Sequence, residues 1–213
     1  GAVFAVVVVK GLFGGLGRNF MNPALGGRCF LLLSFASSMT RYTVDGVTSA
    51  TPLETLVSGG AVNVVRMWTG HGGGVIGCSA LALLVGGLYL WAIDGITWHI
   101  PVSLLVSFTV FLAAFGGQGF SPAFLAAHIA GGGVIMAAFF MATDYATTPS
   151  TPWGRAIFGI GCGLITCLIR FFGSYPEGVS FSILLMNILV PHIEHLTVPR
   201  TLGYVKKAKG EKK

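Results

Sequence analysis

Gly95–Thr143 reads GITWHIPVSLLVSFTVFLAAFGGQGFSPAFLAAHIAGGGVIMAAFFMAT, without one formally charged residue. About 20 apolar residues cross a bilayer core, so this stretch holds two crossings, divided by Pro101 and the GGQGFSP turn at 116–122. Outward from it, Met67–Ile93 is also free of Asp, Glu, Lys and Arg. Across the 213 residues 54% are hydrophobic and 9% charged, against roughly 25% charged in soluble domains. That excludes a soluble globular domain and, with so little polarity, a disordered one. Glycine is abundant, at 32 residues, but shows no collagen period. The fold class is therefore an all-α integral membrane protein. Candidate helices are 24–40, 75–94, 100–115, 122–143, 156–172 and 179–194.

The net charge of +6 is concentrated at one end: Arg200, Lys206, Lys207, Lys209, Lys212 and Lys213 stand against Glu211. A basic tail beside a membrane helix marks a cytoplasmic end and a contact for anionic lipid; nucleic acid is not an expected partner. Counting back through five crossings places residues 41–74 outside. The chain then divides into 1–40, an external loop at 41–74, a five-helix unit at 75–194 and the cytoplasmic tail at 195–213. The opening GAVFAVVVVK reads as the tail of a membrane segment, with more chain expected upstream. Cys29, Cys78, Cys162 and Cys167 have no metal-ligand spacing, and Cys162 and Cys167 read as buried small residues.

An internal echo points to a repeat. Phe13-Gly-Gly-Leu-Gly17 leads to Asn22-Pro23-Ala24, a helix, then Asp45-Gly-Val-Thr-Ser-Ala-Thr51-Pro52. Phe115-Gly-Gly-Gln-Gly119 leads to Ser121-Pro122-Ala123, a helix, then Asp144-Tyr-Ala-Thr-Thr-Pro-Ser-Thr-Pro152. Three crossings separate the two Asp loops, which places them on opposite faces. An inverted-topology repeat has this arrangement, and such repeats hold their sites at broken helices. In this chain the first repeat is truncated.

The run Asp45-Gly46-Val47-Thr48-Ser49-Ala50-Thr51-Pro52-Leu53 resembles the flavinylation signature of the family that holds the D subunits of Rnf complexes and the B subunits of sodium-translocating NADH:quinone reductases. FGGLGRNFMNPALGGRCFLLLSF, ITWHIPVS and FMATDYATTPSTPWGRAIFGIGCGLITCLIRFFGSYPEGVSFSILLMNILVP resemble the Rnf branch, so the likeness covers most of residues 10–191. The family's fold is similar to that of urea channels, and its members carry helices upstream of the point where this chain starts. The resemblance implies FMN bound covalently, as a phosphoester of the Thr51 hydroxyl, with Asp45, Thr48, Ser49 and Ala50 completing the signature. Ser49 stands where the family usually has Gly. Read from the residues alone, the loop is a turn-forming helix entry.

Arg18-Asn19-Phe20-Met21-Asn22-Pro23 is the second constellation. Asn19 and Asn22 lie three apart, on one face of a helical turn. Resemblance implies a second, noncovalent flavin, riboflavin, at Arg18, Asn19 and Asn22; an Asn amide both donates and accepts at a flavin edge. Helix capping by the same asparagines is the alternative.

The function this implies is that of a redox subunit in the cytoplasmic membrane of a bacterium or archaeon. Electrons pass between ferredoxin and NAD with coupled Na+ or H+ translocation. The expected partners are a flavin-bearing G subunit, the membrane A and E subunits, and the cytoplasmic C and B subunits. The chain is part of an oxidoreductase without being catalytically complete alone. A urea-channel-like channel or transporter, or an unmodified scaffold, are the rival readings.

Four other places carry polar residues. Asp144, Thr147 and Thr148 form the counterpart of the flavin loop, either a site for ions or a redox partner or a set of turn and capping groups. His128 reads as a packed core histidine, and His192, Glu194 and His195 lack the spacing of a metal helix. Arg170 and Glu177 bracket the GSYP turn, to pair at the surface or to mark an ion path.

Overall fold

The structure is a computed structural model and describes residues 1–12, 20–39, 42–44, 47–49, 52–57, 60, 62–70, 79–117, 119–173 and 178–199. An opening π-helical segment, Phe4–Gly11, packs against α1 (Pro23–Ser34). Asn22 starts α1, its side chain accepting from Ala24 N and Leu25 N, with Pro23 pre-set for the first turn. The predicted helix 24–40 ends at Ser34: Phe35 leaves helical geometry (φ −134°, ψ 46°), and only the short α2 (Ala36–Met39) follows.

The 41–74 stretch holds local structure. Strands β1 (Tyr42–Val44) and β2 (Val47–Ser49) pair antiparallel, Tyr42 opposite Ser49 and Val44 opposite Val47. Two short helices, α3 (Pro52–Val57) and α4 (Val64–Thr69), come next. This hairpin is the β structure among the described residues; the rest is helical, as the sequence implies.

α5 (Ala80–Ala92) is capped by Ser79, whose Oγ accepts from Ala82 N. α6 (His99–Phe115) is apolar all round. Ile100, Leu104, Phe108 and Leu112 repeat at four residues and are buried; Val102, Val106 and Val110 repeat on the other side and are exposed. A helix apolar on both faces suits one side on protein and one on lipid.

α9 (Pro152–Phe172) and α10 (Val179–Thr197) complete the bundle and, with Pro122–Met141, are long and apolar enough to cross a membrane. α6 and α9 approach closely because Gly159 and Gly163, four apart, face Ser103 and Ser107, four apart. A methyl group on Gly163 would stand 2.8 Å from Leu104 O and from Phe108 N, and one on Gly159 2.9 Å from Ile100 O. Without a hydrophobic force between helices in lipid, such small-residue seams supply the contact. α9 and α10 are joined by Thr166 Oγ1 and Ser182 Oγ, 2.7 Å apart and fully buried.

The predicted helix 122–143 is broken. α7 (Pro122–Ala130) stops at a 3-10 turn, Gly131–Gly133, and the chain resumes as α8 (Val134–Met136) and a π-helical segment, Ala137–Met141. Gly132 and Gly133 adopt φ +66° and +68°, left-handed conformations that glycine takes without steric cost. Ser121 begins this span with φ −64°, ψ 117°, the same angles as Asn22. Asn22 bonds to Asp144, just beyond the far end of the span. The two Pro-Ala motifs thus stand at opposite ends of one span, as inverted repeats require.

The α6–α9 seam sets a stability test. Gly163→Ala should cost about 1–3 kcal/mol by overpacking against rigid backbone, read as a lower thermal midpoint in detergent. Gly161→Ala, facing the mobile end of Met186, should lose less than a third of that.

Candidate functional site

The glycine break leaves the last carbonyls of α7 without helical partners in the middle of a span long and apolar enough to cross a membrane. Pro122 to Gly131 covers roughly 15 Å at 1.5 Å per residue, half of a ~30 Å core. Arg170, near the end of α9, supplies the donors. Its Nη1 donates to His128 O at 2.7 Å and its Nη2 to Gly131 O at 3.3 Å. Nη1 is also 3.4 Å from His128 Nδ1, and the guanidinium lies 5.0 Å from the centre of the Phe108 ring. Arg170 is 1% exposed. A cation at a helix C-terminus is favoured by the helix dipole, and the aromatic face adds to this.

The sequence leaves Arg170 between a surface pair with Glu177 and an ion path; the structure buries it against a broken helix, and Glu177 lies outside the described residues. His128 is the buried core histidine expected, edge-on to Phe124 with ring centres 4.5 Å apart.

The break is covered by the segment that follows the candidate flavin residue. Leu53 of α3, 2% exposed, lies over Gly131 and Gly132, and Met67 of α4 lies over Gly131. A methyl on Gly132 would stand 2.5 Å from Leu53 Cδ2 and 2.6 Å from Arg170 Nη2. Leu53 and Arg170 therefore border one small space. α4 is fixed to α7 by Trp68 Nε1, which donates to Ala126 O at 3.2 Å, and to the start of α5 by Ser79 Oγ, which donates to Trp68 O at 3.0 Å.

A second polar joint lies at the other end of the α8 and π-helical run. Asp144 Oδ2 accepts from Asn22 Nδ2 at 3.4 Å and from Thr147 Oγ1 at 3.1 Å, and its Oδ1 accepts from Ala146 N at 3.3 Å. Thr148 Oγ1 donates to Asp144 O at 2.9 Å. Buried Asn187 of α10, with its amide oriented to match its surroundings, accepts from Asn22 N at 3.1 Å and donates to Thr147 O at 3.2 Å and Ile183 O at 3.3 Å. Asp144, Thr147 and Thr148 act here as turn groups that also hold α1. Nearby, Glu194 accepts from Ser150 N and Oγ, each at 2.9 Å, and Thr151 Oγ1 lies 2.7 Å from Thr197 Oγ1. These bonds tie the connector before α9 to the end of α10.

Of the flavin-signature residues, Thr48 and Ser49 lie in β2 and Thr48 pairs with Thr43; Asp45, Ala50 and Thr51 lie outside the described residues, as do Arg18, Asn19 and Glu177. Ala50 and Thr51 thus connect β2 to α3, whose Leu53 reaches the break. Asn22 caps α1, and its Oδ1 is used twice. Among the described residues one of its Nδ2 hydrogens is left for a ligand. Sequence reading missed the Gly131–Gly133 break, Leu53 and Asn187. The triple glycine inside an apolar helix, next to His128, and a lone cation in an apolar run are the signals that point there.

Broken spans, buried polar joints at each break and opposed Pro-Ala motifs define an inverted-repeat membrane protein of the kind that houses sites within the bilayer. The chain belongs to the NQR2, RnfD, RnfE family, whose model matches residues 1–203. It is 48% identical to the D subunit of the Na(+)-translocating ferredoxin:NAD(+) oxidoreductase complex of Acetobacterium woodii, over 97% of this chain and 66% of that protein. It is 39% and 38% identical to the D subunits of ion-translocating oxidoreductase complexes from Escherichia fergusonii and Salmonella enteritidis, over 97% of this chain and 71% of each. The chain spans about two thirds of the length of these relatives.

The second joint can be tested by a double-mutant cycle. Asn22→Ala and Asp144→Ala should each destabilise the solubilised protein, and together by less than their sum. A coupling of about 0.5–3 kcal/mol is expected for directly bonded groups, checked by thermal unfolding of both single variants and the pair.

Proposed function

We propose that this chain is the membrane redox subunit of an ion-translocating ferredoxin:NAD oxidoreductase and carries FMN as a phosphoester on Thr51. The observation that carries the reading is the Asp45–Thr51 signature in a chain 48% identical to a relative that bears that activity in its name. The donor chemistry fits. A Thr hydroxyl supplies the ester oxygen, Ser49 and Ala50 are small residues beside it, and in sequence the connector runs between the hairpin and α3. When bound, the flavin supplies one-electron chemistry, and the protein contributes position and electrostatics.

This chain's own residues do three things toward that end. Leu53 and Met67 pack over the glycine break. Arg170 donates to the carbonyls that the break exposes. Asn22, with Arg18 and Asn19, offers a second place, for riboflavin, where the Nδ2 hydrogen meets a flavin acceptor while Oδ1 keeps the helix cap. Such a pair divides the bilayer into shorter electron hops.

The flavin loop lies on the outer side and the basic tail in the cytoplasm of a bacterial or archaeal inner membrane. The partners are the flavin-bearing G subunit, the membrane A and E subunits, and the cytoplasmic C and B subunits; Na+ or H+ is the ion moved. The overall reaction belongs to the complex.

The test is in-gel flavin fluorescence of the protein from a host with the flavin-attaching enzyme, with mass spectrometry of the peptide holding Thr48, Ser49 and Thr51. A fluorescent band with the FMN mass on Thr51 is expected. Thr51→Val should be dark and Thr48→Val should stay fluorescent. An unmodified wild-type peptide overturns the reading.

A further inference from the structure

We propose that the end of the bundle where α6 and α9 begin binds the phosphate of an anionic phospholipid, held by Arg155 and His99 between Trp98 and Trp153. The inference is independent of the flavin reading.

The seam between the two helices fixes the geometry. Gly159 faces Ile100 and Ser103, and Gly163, four residues on, faces Leu104 and Ser107. The contacts advance in step, so α6 and α9 run in the same direction. One turn earlier on the same faces stand Arg155 on α9 and His99 on α6. A seam of small side chains thus ends in two large, nitrogen-bearing ones, both half-buried.

Both keep donors for a ligand. Arg155 Nε donates to Pro149 O at 3.1 Å, which holds the guanidinium without using either Nη. His99 Nδ1 is enclosed and has no partner among the described residues, which leaves Nε2 as the ring's route to a hydrogen bond. The Trp98 indole stacks on that ring, centres 4.3 Å apart. The carboxylates of neighbouring elements are engaged elsewhere: Glu194 accepts from Ser150, and Asp144 from Asn22 and Thr147. Asp94 is exposed in the turn before α6. A cation in the first turn of a helix opposes the helix dipole, so the fold alone does not favour Arg155 there; an anion beside it does. Thr151 Oγ1 already caps Gly154 N, so the attraction comes from the side chains.

The surroundings of this end suit the headgroup layer of a bilayer. Trp91, Trp98, Trp153, Tyr89 and Tyr145 all stand here and are half exposed or more. Such rings join an apolar body to a polar tip and are enriched at headgroup level. At the opposite end of α6 and α9 the exposed rings are Phe115 and Phe172, which have no polar tip. α10 returns to the Trp153 end, joined there by Thr151 and Thr197, and the basic residues from Arg200 onward follow it in sequence. Positive charge at headgroup level selects an anionic lipid over a zwitterionic one, and the planar guanidinium fork matches phosphate.

The test places the complex purified from its host in nanodiscs of phosphatidylglycerol or phosphatidylcholine, each with a photoactivatable diazirine beside the phosphate. After illumination, mass spectrometry maps lipid adducts on the peptide holding residues 145–155. Phosphatidylglycerol should label it about tenfold more than phosphatidylcholine, the weight of one hydrogen bond to a charged group. Arg155→Gln should remove that preference, and Arg155→Lys, which keeps the charge, should retain part of it. Replacing Lys206, Lys207, Lys209, Lys212 and Lys213 by Gln should leave most of it. Should Arg155→Gln not assemble, competition in the wild type decides: excess unlabelled phosphatidylglycerol should displace the label and inorganic phosphate should not. Equal labelling by the two lipids, a preference unchanged in Arg155→Gln, or one lost with the lysines overturns the site. Displacement by inorganic phosphate assigns the site to free phosphate, and no labelling by either lipid assigns this end to a protein partner; each overturns the proposal.

Discussion

The bond from the Arg170 guanidinium to the carbonyls of His128 and Gly131 is the interaction on which the rest of the site depends. Inside a bilayer every backbone polar group must find a partner within the protein, and each failure costs several kcal/mol. A span interrupted at Gly131–Gly133 is permissible here because a donor with a fixed fork reaches both carbonyls from a neighbouring helix. The α6–α9 glycine seam brings that donor within reach. α9 lies close enough to α6 for Arg170 to rest over Phe108, while Gly159 and Gly163 meet the backbone of α6. The break in turn gives Leu53 and Met67 a surface to cover, and so draws the short helices after the hairpin into the bundle.

The second joint works by different chemistry. Asn22, Asp144, Thr147 and Asn187 satisfy one another with neutral amides, hydroxyls and one carboxylate at a place where three chain segments meet. Asn187 lies four residues before Pro191, which interrupts α10 by lacking an N–H. At this joint the Asn187 side chain satisfies the Asn22 N–H and the Thr147 carbonyl, as Arg170 satisfies two carbonyls at the other. Between them runs a short α-helical turn followed by a π-helical stretch, a geometry concentrated at functional sites.

Much of this was legible in the sequence. The charge-free stretch from Gly95 to Thr143 announces two spans, and the four-residue spacing of Ile100, Leu104, Phe108 and Leu112 runs along the buried face of α6. The echo of Asn22-Pro-Ala in Ser121-Pro-Ala fixes two helix starts that share one backbone geometry. The break itself was hidden because hydropathy counts glycine as tolerable within an apolar run. The decisive feature there is a backbone angle, not a side chain. The place of Arg170 was left open for a related reason: a cation near the end of an apolar helix often reaches towards the membrane surface, and the carbonyls of His128 and Gly131 exist as acceptors for it only after α7 stops. Leu53 and Asn187 carry no signal of their own, since a leucine after a proline and an amide in a helix acquire meaning only from what the fold places against them.

The most direct measurement is an experimental density map of the intact, flavin-loaded complex at a resolution that shows side chains. Continuous density from the Thr51 hydroxyl through a phosphate to a tricyclic ring is the expected result. A bare Thr51 side chain would contradict it.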